Sequence, residues 1–167
     1  MSDGVEFNLT GLEDLQAKLK EISKDMQFKG GRFALRKAAQ VIRDKARENA
    51  ARVDDSKTPE DIAKNITERW ASKRNKNTGD LGFRIGVMGG AKGPAIASGE
   101  IAGKGKANPG GDTFYWRFVE FGTKNAPARP FMRPAMDDSV QPATAEFIKQ
   151  YDKAVDRAIR RAKKTGK

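Results

Sequence analysis

The stretch from Thr113 to Met136 constrains the fold more than any other, because it packs six of the chain's thirteen aromatic residues and three of its seven prolines into 24 positions. Phe114, Trp116 and Phe118 fall on one face of an extended segment, and Tyr115, Val119 and Phe121 fall on the other, so neither face reads as solvent. The pattern predicts a central strand of a sheet. Gly122 then frees the backbone for a turn. Pro127, Pro130 and Pro134 hold the following residues extended, because each ring fixes φ and disfavours helix in the residue before it. The chain therefore leaves the sheet, runs stiffly, and is expected to enter a helix at about Pro134, with Phe131 as the buried anchor of that return. Glu120 shares a strand face with Trp116 and Phe118, which predicts either a solvent edge or an ion pair with Arg129 or Arg133.

Before this stretch, Val5, Phe7 and Leu9 alternate with Glu6 and Asn8 as a short half-buried strand. Thr10 followed by Glu13 forms a capping box for a first helix, roughly Gly11 to Asp25, whose apolar face is marked by Leu12, Leu15, Leu19, Ile22 and Met26. Gly30 and Gly31 are expected to break the helical pattern. A second helix, Arg32 to Arg52, should bury Leu35, Ala38, Ala39, Ile42 and Ala46 and expose Arg36, Lys37, Arg43, Lys45 and Arg47. Pro59 suits the first turn of a short helix covering Ile62 and Ile66. Residues Lys73 to Asp80 read as a hairpin loop, after which Leu81, Phe83, Ile85 and Val87 alternate as a strand. Met88 to Asp112 holds eight glycines, two prolines and three lysines and reads as a flexible loop or an arm that orders against a neighbouring subunit. Beyond the aromatic stretch, Asp137 and Asp138 should sit near the start of a C-terminal helix, Pro142 should kink or restart it, and residues 163–167 form a frayed basic tail.

Composition removes most enzyme chemistry. Without cysteine or histidine the chain has no thiolate, no disulfide and neither of the commonest metal ligands. The nearest approach to a phosphate loop, Gly99 to Lys104, spaces its glycines one residue too close and has Gly105 where Ser or Thr would hold magnesium. Asp54-Asp55, Glu60-Asp61 and Asp137-Asp138 are adjacent pairs, which suit capping better than a shared ion. No catalytic residue, metal site or cofactor is expected. No apolar run approaches the ~20 residues of a membrane span, and the N-terminus lacks the basic and apolar blocks of a secretory signal. The net charge of +11 favours polyanions or acidic protein surfaces, and the basic C-terminal helix admits contact with DNA. The aromatic cluster at Phe114 to Phe118 reads as core rather than as a base-stacking platform.

The order of an aromatic-rich segment, Glu120-Phe121-Gly122-Thr123, a short polar loop and then Arg129-Pro130-Phe131-Met132-Arg133-Pro134-Ala135 resembles the tail-component family of long-tailed bacteriophages. These are described as tail-completion or head-tail joining proteins and include relatives of the minor tail protein Z type. The N-terminal Gly11-Leu12 with Leu15 and Leu19, and the Ala38-Ala39 helix, add to the likeness. The sequence departs from the family between Pro59 and Thr78-Gly79-Asp80-Leu81, which stand further apart. The resemblance implies a non-enzymatic virion protein, made in the host cytoplasm. It implies assembly as a homo-oligomeric ring with six-fold symmetry at the tail end or head-tail junction, in contact with other tail or neck proteins. Glu120, Phe121, Gly122, Thr123, Arg129, Pro130, Phe131, Arg133 and Pro134 carry the motif and the expected assembly surface. A basic nucleic-acid-binding protein is the alternative. The expected fold is a single α+β domain over residues 1–167, with a small, mostly antiparallel sheet of three to five strands, two N-terminal helices, a C-terminal helix and the glycine-rich loop over 88–112.

Overall fold

The computed structural model describes residues 24–54, 60–88 and 109–165. Its elements run α1 (Lys24–Val53), α2 (Ile62–Asn65), β1 (Ile66–Trp70), α3 (Ser72–Thr78), β2 (Phe83–Val87), α4 (Trp116–Phe121) and α5 (Met132–Thr165). The fold is α+β and mostly helical, with a two-stranded antiparallel sheet among the described residues in place of the expected three to five strands. The expected strand at Val5 to Leu9 lies outside the described residues, as does all but the end of the expected helix Gly11 to Asp25.

The frame is the antiparallel pair α1 and α5. At one end Gly30 lies against Tyr151 and Ala154, and at the other the Asn49 side chain donates to the carbonyl of Phe131 at 3.3 Å. Gly30 and Gly31 do not break the helix, contrary to expectation. A Cβ on Gly30 would lie 3.2 Å from the Tyr151 ring and 3.3 Å from Ala154 Cβ. The glycines cost about 1 kcal/mol each in helix propensity, but Gly30 lets α5 approach closely and Gly31 makes room for Leu81, whose Cδ1 would lie 2.8 Å from a Cβ there, and packing decides. The core lies toward the other end, where Ala46, Ala50, Ile62, Ile66, Phe131 and Ala135 are fully buried together.

β1 and β2 pair with Ile66 opposite Val87, Glu68 opposite Ile85 and Trp70 opposite Phe83. These six side chains share the inner face, while Thr67, Arg69, Arg84 and Gly86 share the outer one. Glu68 is the polar member of the inner face. It accepts from Gln40 at 3.2 Å and from Arg43 at 2.7 Å, and Arg47 donates to the carbonyl of Ile66. Arg43 and Arg47, expected in solvent, are therefore turned onto β1. Burial pushes Glu68 up, but the hydrogen bonds from Arg43 and Gln40 outweigh it and hold the carboxyl at about 2.

The connection between the strands falls where a hairpin loop was expected, yet it contains the helix α3. Gly79, at φ 77°, ends that helix in the left-handed region, and the Asn75 side chain holds the carbonyls of Gly79 and Asp80. The segment expected as the central strand is the larger correction. Phe114 and Tyr115 lie in a turn and Trp116–Phe121 form α4. Six apolar residues in eight satisfy both period 2 and period 3.6. Only the helix puts Glu120 inside beneath α5 while Phe118 stays in water. α5 then begins at Met132, two residues before the expected start, and runs through Pro142 without ending. Asp138 and Pro142 are both exposed, so the carbonyl that loses its donor lies on the water side. Asp137 and Asp138 are not in the first turn.

Candidate assembly surface

Glu120 is the organising residue of the motif. Its carboxylate is 1% exposed and accepts from the backbone N–H groups of Phe131 (2.7 Å), Met132 (2.9 Å) and Arg133 (3.1 Å), and from Arg133 Nε at 3.2 Å. Arg133 also donates to the Glu120 carbonyl at 2.9 Å. A helix start leaves four N–H positions without partners; Glu120 takes the three at Phe131, Met132 and Arg133, and Pro134, the fourth, has none to satisfy. The charge also lies at the positive end of the 34-residue α5. Burial pushes the carboxyl up, but three amides and Arg133 outweigh it and hold Glu120 below the ordinary carboxylate range. Its lone pairs are committed to the clamp, so Glu120 is a fixed acceptor and not a base. Of the two expected partners, the structure selects Arg133.

The loop between α4 and α5 closes on itself. Gly122 sits at φ 77°, and a Cβ there would meet the Ala128 nitrogen at 2.8 Å, so no side chain fits. The Thr123 N–H donates to the carbonyl of Ala126 at 2.9 Å, and its hydroxyl accepts from the N–H groups of Asn125 and Ala126. The Arg129 N–H returns to the carbonyl of Val119 at 2.8 Å. Arg129 and Pro130 are exposed, Pro134 is half-buried, and Phe131 is fully buried as expected.

What α4 and the turn before it leave outward is aromatic. Phe118 and Phe121, three positions apart on the helix, are 55% and 64% exposed, and Phe114 in the turn is 39% exposed, so the three make one exposed ridge. The Arg133 guanidinium lies 5.3 Å from the Phe121 ring centroid, and Arg117 lies 5.4 Å from that of Trp116. Only Tyr115, Trp116 and Val119 pack against the core, so the expected core cluster is divided between inside and outside. Sequence reading missed this ridge, although Phe114, Phe118 and Phe121 fall at helical spacing.

It also missed the node at Asn65, a buried residue whose side chain and backbone carbonyl tie down the two ends of the glycine-rich segment. Asn65 donates to the carbonyl of Gly111 and to Thr113 Oγ1, each at 2.8 Å, and accepts from the Gly110 N–H at 2.7 Å. The Met88 N–H donates to the Asn65 carbonyl at 2.8 Å. The segment therefore leaves and returns at one point, with residues 89–108 outside the described residues. A lone Asn at a helix–strand junction carries no sequence signal. Two of the three acidic pairs supply a cap, since Asp54 accepts from the Ile62 N–H at 2.7 Å and Asp61 from the Lys64 N–H at 3.0 Å, whereas Asp137 and Asp138 lie beyond the first turn of α5. Among the described residues no helix is long and apolar enough to cross a membrane.

A second surface is basic and aromatic. Arg32 stacks 4.3 Å from the Trp70 centroid, beside Lys29, Arg36 and the exposed Phe33.

No curated protein and no solved structure shows a significant match to the chain. The family described as "Bacteriophage HK97-gp10, putative tail-component" matches residues 13–122, a span that takes in α1, the sheet, the Asn65 node and α4 and stops at the turn glycine. With well over half of its 167 residues matched, the chain belongs to this HK97-gp10-like family of phage tail components.

Proposed function

We propose that the chain is a structural, non-enzymatic virion protein that assembles as a ring at the tail end or head-tail junction and completes or joins the tail. The observation that carries this reading is the ridge of Phe118 and Phe121 on α4, with Phe114 in the turn before it, on a helix whose other side is locked by Glu120. A rigid mount under exposed aromatics and arginines is the composition of an interface core. Copies meeting through two different surfaces make a heterologous contact, which closes into a ring when the rotation allows. Phe121, Arg129, Pro130 and Arg133 lie where the ridge meets the loop, and Gly122, Thr123, Phe131 and Pro134 hold that loop in shape. The partners are further copies of the chain and neighbouring tail or neck proteins. Light scattering at tens of micromolar, with and without the adjoining tail protein, tests the reading. Assembly that Phe118→Ser abolishes supports it, and a strict monomer in both conditions overturns it.

A second reading rests on the Arg32–Trp70 surface, which combines stacked aromatics with cations as nucleic-acid-binding surfaces do. DNA affinity that falls steeply with salt and is lost in Trp70→Ala with Arg32→Ala would favour it.

A further inference from the structure

An apolar groove of about 550 Å³ runs along α1, with Leu35 and Ile42 on its floor, Phe83 and Ile85 of β2 on one wall, and Val140 and Phe147 of α5 on the other. Leu35 and Ile42 are consequently only half-buried, although their helical phase is that of the buried Ala38, Ala39 and Ala46. The wall formed by β2 is also a sheet edge. The Met88 N–H to Asn65 carbonyl bond and the Ala71 N–H to Gly82 carbonyl bond set the phase of the β1–β2 ladder. Gly82, Arg84, Gly86 and Met88 turn their backbone groups toward β1, so Phe83, Ile85 and Val87 turn theirs toward the groove side. No strand pairs with that edge among the described residues. An edge of this kind over an apolar floor takes an extended segment with alternate apolar side chains.

We propose that residues Val5 to Leu9 of the same chain are that segment, adding antiparallel to β2 as a third strand with Val5 opposite Val87, Phe7 opposite Ile85 and Leu9 opposite Phe83. Three observations select this occupant. Val5, Phe7 and Leu9 alternate with polar Glu6 and Asn8, so one face fills the groove and the other meets water. Charge agrees as well: Arg84 stands directly opposite Arg69 on the outer face, a like-charge pair, and Glu6 arrives diagonally beside Arg84. The same holds at larger scale, because residues 1–23 carry five acids and two Lys, whereas the remainder carries 31 Lys plus Arg against 17 acids. The connection also reaches. Phe83 packs on Trp70, which Arg32 covers, so Leu9 would end level with Arg32, about 12 Å along α1 from Lys24. The fourteen residues between Leu9 and Lys24 span about 21 Å even when fully helical.

The cysteine-free chain makes the test direct. Asn8→Cys with Arg84→Cys places two outward side chains at a non-hydrogen-bonded pair, about 4.5 Å apart at Cα and within disulfide reach. Mild oxidation of the full chain should close a disulfide within one chain, and the out-of-phase pair Asn8→Cys with Ile85→Cys should not. In the unsubstituted protein the amides of Phe83, Ile85 and Val87 should exchange at least about 100-fold more slowly than in Phe7→Asp. A disulfide linking two chains would give the edge to a second copy and overturn the proposal. Absence of the in-phase disulfide, or equal exchange in Phe7→Asp, would overturn it also.

Discussion

The two ends of the α1–α5 pair treat apolar surface in opposite ways. At the Phe131 end every element closes: Glu120 satisfies the start of α5, Gly122 and Thr123 fold the loop back, and Phe131 is sealed with Ala46, Ile62 and Ile66. From Met132 and Met136 onward, the same two helices line an open groove with Leu35, Ile42, Val140 and Phe147, beside a sheet edge. At the closed end Glu120 holds the start of α5 itself, whereas along the open stretch the buried Glu68 ties β1 to Gln40 and Arg43 of α1 and α5 lends the groove only side chains such as Val140 and Phe147. A polar tie to the start of α5, not extra hydrophobic area, marks the closed end, and that end mounts the exposed ridge.

Changes at the closed end should therefore be the most severe. Phe131→Ala should destabilise the protein by about 3 to 5 kcal/mol in thermal or denaturant unfolding, a large part of the ~5 to 15 kcal/mol of a typical domain. Glu120→Ala leaves buried amides and Arg133 without their acceptor and should cost about 3 kcal/mol, with Glu120→Gln costing less. A Glu120→Ala protein as stable as the parent would show that the helix start is not what closes this end.

Acid should act next, on both carboxylates. Glu68 and Glu120 have folded values below their unfolded ones, so their contribution is complete above the ordinary carboxylate range and is lost as pH falls through the folded values. For Glu68, held at about 2 against an ordinary 4.5, the loss between pH 5 and pH 2 amounts to about 3 kcal/mol. Denaturant midpoints measured across that range should fall for the parent and fall less for Glu68→Gln. The smallest effect belongs to Arg129→Ala, whose exposed side chain should contribute ~0 to 1 kcal/mol, because only its backbone N–H ties the loop. Equal losses for Arg129→Ala and Phe131→Ala would erase the distinction between anchor and surface.

Much of the closed end was legible in the sequence. Phe131 stands between two prolines as the one large aromatic between Phe121 and Phe147, and Arg133 was one of two candidate partners for Glu120. β2 was visible from its alternation. α4 was not, because a short segment dense in aromatics satisfies both periods until its surroundings decide where Glu120 must point. Gly30 and Gly31 misled for a related reason: their cost in a lone helix is offset by neighbours distant in sequence, α5 at Gly30 and Leu81 at Gly31. The Asn65 node and the Glu68 pairing with Gln40 and Arg43 join residues 25 to 48 positions apart without any local pattern. Such pairings become visible only when β1 is laid on α1.

The central claim is that the Phe114–Phe118–Phe121 ridge serves assembly and not folding. Its most direct test is electron microscopy and protein composition of particles made when the only copy of this protein carries Phe118→Ser with Phe121→Ser, alongside the melting temperature of the purified variant. The variant should melt within a few degrees of the parent, be absent from particles, and leave heads and tails unjoined. Normal virions containing the variant would contradict the claim.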